Sequence, residues 1–175
     1  VGFREHMGQH IISPDGCAVL HPNLLALQNA LQDFASAHLP AGFAADAHAN
    51  LLDRSTGNAK DNNICLYIEP ISGAQPWSPD MLAKLGDWAA SIRLARLSVT
   101  YHGSSMTLFA PEIPVVQFGK IGVSPPPVAF LQAPRDCEAM LQHAIADIDG
   151  YAAPIVSLFS RFGLLSLHIL RHFSP

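Results

Sequence analysis

Three consecutive prolines, Pro125 to Pro127, form the one clear break in composition along the sequence. Each proline lacks the backbone N–H that a helix or a sheet ladder uses, and it disfavours helical geometry in the residue before it. The pattern of apolar residues also changes at this point. We therefore expect two units, residues 1–124 and residues 125–175, of which the second must be small or incomplete because 175 residues leave little room for two full domains.

The composition is that of a chain with a buried core, because 49% of residues are apolar and only 14% are charged. The net charge is −4, and the basic residues are scattered from Arg4 to Arg171, so the sequence does not predict autonomous nucleic-acid binding through a cationic patch. The most apolar stretch, residues 152–173, is interrupted by polar and charged residues, and no secretory signal is visible. We expect no membrane association and a cytoplasmic location.

The first unit contains two amphipathic helix patterns. The first follows His21-Pro22-Asn23 and closes before Pro40, and the second follows the N-cap sequence Ser78-Pro79-Asp80 and runs to about Ile92. Their apolar residues recur at spacings of three and four, which places them on one face of each helix: Leu24, Leu27, Leu31 and Phe34 in the first, and Met81, Leu82, Leu85, Trp88 and Ala89 in the second.

The remainder of the first unit alternates apolar and polar residues as strands do. Residues 44–53 and 63–71 predict a hairpin, residues 2–13 a short hairpin or two extended segments, and residues 94–101, 106–110 and 115–118 three further strands. Two helices among roughly seven strands indicate an α+β fold, with a mostly antiparallel sheet and the helices on one of its faces.

The second unit has the pattern of a parallel α/β domain. A helix is predicted from Pro134 to Gly150, a continuous apolar strand over residues 154–159, and a second helix over residues 164–172. This is the opening helix-strand-helix of a Rossmann-like domain. One parallel strand cannot bury its own faces, so we expect an exposed apolar carboxy-terminal segment that promotes self-association.

Several short motifs, taken in order, resemble the RNA (uracil-C5) methyltransferases, a family of class I S-adenosylmethionine (SAM) enzymes that modify tRNA and rRNA. Near the start they are Gly2-Phe3-Arg4, Ile11-Ile12 and CAVLHP at residues 17–22; after the prolines they are VAFLQA at residues 128–133, Glu138, Leu141 and SLFSRFGLLSL at residues 157–167. The resemblance brackets almost the whole chain. It implies that residues 1–124 form the family's α+β central domain and that residues 125–175 begin its SAM-binding catalytic domain.

The resemblance also assigns cofactor contacts. Gln132 matches the glutamine of an FLQ segment that lies against SAM, and Phe159 and Gly163 match the first SAM-binding turn. The turn departs from the family pattern at Ser157, which replaces an aspartate, and at Arg161, which replaces a glycine. Leu164 is also bulkier than the family's small or polar residue. These departures predict weak SAM binding or none.

Cysteine and histidine patterns give no catalytic or metal site from the sequence. Cys17 resembles one ligand of the family's iron–sulfur cluster, but the partners of that ligand are absent, so we expect a buried cysteine and no cluster. Cys65 lies within a predicted strand and Cys137 on the core face of a predicted helix, so both are expected in the core. Neither has an adjacent histidine or lysine in sequence to lower the pKa of its thiol, so neither is expected to be a nucleophile. His168 and His172 are four residues apart without a third ligand, so no metal is predicted.

The sequence therefore favours an incomplete RNA uracil-C5 methyltransferase, with tRNA or rRNA as the implied partner. The family's catalytic cysteine and base belong to a part of the catalytic domain that follows the position of Pro175, so the chain is expected to be inactive as it stands. Two alternatives remain open at this stage. One is a non-catalytic α+β module that binds RNA or another partner, and the other is a small intact enzyme with a different ligand between Gln132 and Gly163.

Overall fold

The structure, a computed structural model, describes residues 1–5, 10–52, 62–71, 73, 76–118 and 121–129. Within these ranges the chain forms two helices and eight strands. Their order is β1 (Phe3–Arg4), β2 (Ile11–Ile12), α1 (Pro22–His38), β3 (Ala45–Leu51), β4 (Asn62–Pro70), α2 (Pro79–Ser91), β5 (Leu94–Tyr101), β6 (Ser104–Phe109), β7 (Val116–Phe118) and β8 (Ile121–Val123). The predicted α+β class of the first unit is confirmed.

Both helices begin at the predicted positions because a side chain caps each one. In α1 the Nδ1 atom of His21 accepts a hydrogen bond from the backbone N–H of Asn23 at 3.2 Å. In α2 the hydroxyl of Ser78 accepts one from the N–H of Met81, also at 3.2 Å. Proline occupies the first turn of each helix, where a missing N–H breaks no helical hydrogen bond.

The main sheet has four strands in the order β3-β4-β5-β6. Strands β3 and β4 pair antiparallel, which confirms the hairpin predicted for residues 44–53 and 63–71. Strands β5 and β6 also pair antiparallel, which was not predicted. The turn between β5 and β6 consists of His102 and Gly103, which both have positive φ angles, 49° and 75°. Positive φ at both turn residues matches the right-handed twist of the two strands that they connect.

Two of the three strand pairs in this sheet are antiparallel, as expected of a mostly antiparallel sheet, but the central pair, β4 and β5, runs parallel. The reason is the connection between them: α2 follows β4 and returns the chain to the end of the sheet at which β4 began, so β5 starts in the same direction. The sheet is therefore mixed, and its two central strands form a β-α-β unit.

The core lies between the helices and one face of this sheet. Alternate residues of β4 and β5 point toward the helices, among them Ile64, Leu66, Leu97 and Val99, all of them nearly inaccessible to solvent. Leu85 and Ala89 of α2 pack against them, and Phe34 of α1 contacts Trp88 of α2 with 5.2 Å between ring centroids. Burial of one aliphatic side chain of this size stabilises the fold by about 1.5–3 kcal/mol.

Two small hairpins flank the main sheet. Strands β1 and β2 pair antiparallel, as predicted for residues 2–13, and β7 pairs antiparallel with β8, which the sequence pattern did not indicate. The predicted helix-strand-helix of residues 134–172, with Cys137, His168 and His172, lies outside the described residues. The Rossmann-like unit and the boundary between residues 124 and 125 therefore stay predictions, as does self-association through the carboxy-terminal segment.

Candidate functional site on the polar face of the sheet

The face of the main sheet opposite the helices carries a set of polar side chains in register, and we call it the polar face. One row crosses all four strands, because His48 pairs with Tyr67, Tyr67 with Ser98, and Ser98 with Thr107. Directly paired residues place their side chains on the same side of a sheet. Adjacent rows add Asn50, Arg96 and Thr100.

The hydroxyl groups at the centre of the polar face are hydrogen-bonded to one another. Ser98, which is completely buried, shares a hydrogen bond of 3.0 Å with Thr107, and the phenol of Tyr67 shares one with the hydroxyl of Thr100. Pairing of this kind offsets the cost of burying hydroxyls in a sheet. His48 lies at the exposed edge of the row, with its ring centroid 6.2 Å from that of Tyr67.

Arg96 joins the polar face to the proline segment. Arg96 belongs to the central strand β5, and only 7% of the residue is exposed to solvent. The guanidinium donates one hydrogen bond to the carbonyl oxygen of Pro125 at 2.7 Å and another to that of Pro126 at 3.1 Å. Arginine keeps its charge when it is buried, so these carbonyl oxygens replace water as the acceptors of a cation.

Asn50 holds the other end of the same segment. Its side-chain amide donates to the carbonyl oxygen of Ala129 at 2.6 Å. Between the two contacts the chain turns, because the backbone N–H of Ala129 donates to the carbonyl of Pro126 at 3.0 Å. Ala129 itself is buried, at 6% exposure, so the polar face and the end of the proline segment are packed together.

The polar face can bind and orient other groups through hydrogen bonds, as it does with the proline segment. Cys65 of β4 pairs directly with Arg96 of β5. It is 3% exposed and packs in a small apolar cluster with Leu52 and Ala95, so the expectation that it lies in the core is confirmed. In the described ranges, no group of three or more histidine, cysteine, aspartate or glutamate side chains is placed to hold a metal ion.

The sequence-predicted site residues fall in two places. Gln132, Phe159 and Gly163, the expected SAM contacts, lie outside the described residues, so they stay predictions. Cys17 is described, and the expectation that it is buried is wrong: it is exposed, in the loop between β2 and α1, where its backbone N–H donates to Pro14 at 2.9 Å. Cys17 belongs to neither of the two hydrophobic clusters in the described ranges.

Arg96 and Asn50 were not singled out by the sequence patterns. A signal for Arg96 exists in hindsight, because it is the one charged residue in the strand sequence LARLSVTY. A cation among residues with strong strand propensity is either at an exposed edge or buried with acceptors, and β5 is a central strand.

Neither helix of the described ranges is both long and apolar enough to cross a membrane.

Comparison with known proteins gives matches along nearly the whole chain. It is 27% identical over 173 residues to an uncharacterized RNA methyltransferase of Rhizobium meliloti, an alignment that covers 98% of this chain and 38% of that protein. A similarly named protein of Zymomonas mobilis is 26% identical, with 95% of this chain and 39% of that protein covered. A third uncharacterized RNA methyltransferase, from Caulobacter vibrioides, is 30% identical, and the alignment covers 93% of this chain and 37% of that protein.

No protein-family model matches the chain. No solved structure matches it either. The names of the three relatives support the sequence-based resemblance to RNA methyltransferases, but they do not specify methylation at uracil C5. The chain is similar, almost from end to end, to proteins named as uncharacterized RNA methyltransferases, and it spans 37–39% of the length of the three relatives described.

Proposed function

We propose that this chain is part of an RNA methyltransferase that transfers a methyl group from SAM to C5 of uracil in tRNA or rRNA. The observation that carries the proposal is the alignment of 98% of the chain with an RNA methyltransferase of Rhizobium meliloti. The finer assignment to uracil C5 rests on the motif resemblance, and on the order of its segments on both sides of the prolines.

The described fold is compatible with a supporting role in such an enzyme. Its polar face is internally hydrogen-bonded and binds the proline segment through Arg96 and Asn50, and Cys65 is buried. In this proposal residues 1–124 support the catalytic domain. Gln132, Phe159 and Gly163 contact SAM, and the reacting cysteine and base come from the part of the catalytic domain that the relatives contain in addition.

The test uses what we call the extended chain, which is this chain flanked by the remaining amino- and carboxy-terminal sequence of the Rhizobium meliloti relative. It is incubated with bulk tRNA or rRNA and SAM that carries a radioactive methyl group. We expect label in the RNA, and more label when Ser157→Asp and Arg161→Gly restore the cofactor turn, because glycine allows closer approach of the backbone to the ligand.

The matched control is Gln132→Ala in the restored background, which should lower incorporation because the resemblance places Gln132 against SAM. The relative itself is assayed in parallel to show that the RNA is a substrate. If the relative labels the RNA while neither the extended chain nor its restored variant does, the proposal is wrong. RNA binding without methyl transfer would then favour the alternative of a non-catalytic RNA-binding module.

A further inference from the structure

The connection that leaves the first unit is held at both ends on the polar face. Arg96 donates to two successive carbonyl oxygens, those of Pro125 and Pro126, and Asn50 donates to the carbonyl oxygen of Ala129. The carbonyl of Pro126 also accepts the N–H of Ala129, so one oxygen receives both the side-chain contact and the turn hydrogen bond. The contacts come from two different strands, β5 and β3.

The chemistry of this segment differs from that of a flexible linker. Flexible linkers are rich in glycine and serine, whereas three consecutive prolines have their φ angles fixed by their rings and lose little conformational entropy when they are held. A buried guanidinium is also a costly anchor unless its acceptors stay in place. Both features favour one direction for the chain as it leaves the sheet.

We propose that Arg96 and Asn50 are positioning residues: together they clamp Pro125–Ala129 to the polar face and thereby set the direction in which the chain enters the part that follows Ala129. Every contact of the clamp lies within the described residues. Its consequence for catalysis rests on the proposed function, because in an RNA methyltransferase this direction orients the SAM-binding part relative to the sheet.

The first experiment measures the clamp without any activity. Hydrogen exchange of the Ala129 amide is followed by NMR in the 175-residue chain, because that amide closes the turn that the clamp holds. Arg96→Lys keeps the charge and most of the stem but replaces the planar fork, whose two nitrogens each donate to a different carbonyl, with a single ammonium nitrogen. We expect exchange about tenfold faster in Arg96→Lys and in Asn50→Ala, with amides of β5 still protected.

The matched control is Arg4→Lys, a change of the same type at an exposed arginine that pairs with Asp46 at 3.5 Å. It should leave exchange of the Ala129 amide unchanged. Equal exchange rates for that amide in the unmutated chain, Arg96→Lys and Asn50→Ala would overturn the clamp.

The second experiment separates positioning from stability. In the extended chain with the restored turn, we expect Arg96→Lys to lower kcat about tenfold, or by about 1.4 kcal/mol of activation free energy, with KM for SAM unchanged. A merely structural role would leave kcat of the folded protein unaltered, so an unchanged kcat overturns the positioning role. If the extended chain is inactive but Arg96→Lys and Asn50→Ala still accelerate exchange of the Ala129 amide in the 175-residue chain, the proposed function is contradicted and the clamp is supported.

Discussion

Replacement of Arg96 by alanine tests how much the buried cation contributes to stability. The variant loses two charge-assisted hydrogen bonds, each of about 1.5–3 kcal/mol, and leaves the carbonyls of Pro125 and Pro126 without this donor. It also removes the cost of keeping a guanidinium buried, which offsets part of the loss. We expect a net decrease of about 3 kcal/mol in the free energy of unfolding, or roughly 6–12 °C in Tm for a chain of this length.

The assay is urea unfolding at 25 °C followed by tryptophan fluorescence, since the chain has two tryptophans, of which Trp77 is buried in the core and the partly buried Trp88 packs against it. Arg96→Met retains an apolar stem without the donors. The difference in the free energy of unfolding between Arg96→Met and Arg96→Ala therefore measures the contribution of packing by the stem. Arg4→Ala is the matched control, because an exposed ion pair contributes little and its loss should change stability by less than about 0.5 kcal/mol. If Arg96→Ala and Arg4→Ala unfold at the same urea concentration, the buried hydrogen bonds of Arg96 do not stabilise the fold.

Three further predictions concern the core, SAM and association. Leu97→Ala should lower the free energy of unfolding by about 2–5 kcal/mol in the same assay, because Leu97 is fully buried, whereas Val19→Ala at 93% exposure should be neutral; equal effects would contradict the described core. Calorimetry should detect little or no SAM binding to the chain, and Ser157→Asp with Arg161→Gly should improve it to roughly millimolar affinity; tight binding by the unmutated chain would refute the role given to the altered turn. Sedimentation at high concentration should show self-association, and a monodisperse monomer would count against an exposed apolar carboxy-terminal segment.

Local patterns were sufficient to predict most elements of the first unit. Helix α1 follows from leucines on one face, and α2 from its Ser78 cap and the same periodicity, because these signals depend only on neighbouring residues. The antiparallel pairing of β3 with β4 was predicted from the polar, turn-rich sequence between them. The pairing of β5 with β6 was not predicted, although the His102-Gly103 turn is a local signal for it.

The features that were missed depend on contacts between distant parts of the chain. The parallel pairing of β4 with β5 follows from the path of α2, which periodicity does not describe. Arg96 and Pro125 are 29 residues apart, so nothing local indicated that the arginine is buried against the prolines. Cys17 was expected inside because one thiolate cannot hold a cluster and a buried role was the alternative, but the residue is exposed.

Release of tritium from C5 of uridine tests the central proposal most directly. Methylation at C5 must remove the hydrogen at that carbon, so RNA labelled with tritium at C5 should release it into water when the extended chain with the restored turn acts in the presence of SAM. RNA labelled at C6 should retain its tritium, and omission of SAM should prevent sustained release. If methyl groups enter the RNA while tritium stays at C5, the enzyme methylates another position and the uracil-C5 assignment is wrong; if the relative is active and no methyl group enters with the extended chain, the proposed function itself is contradicted.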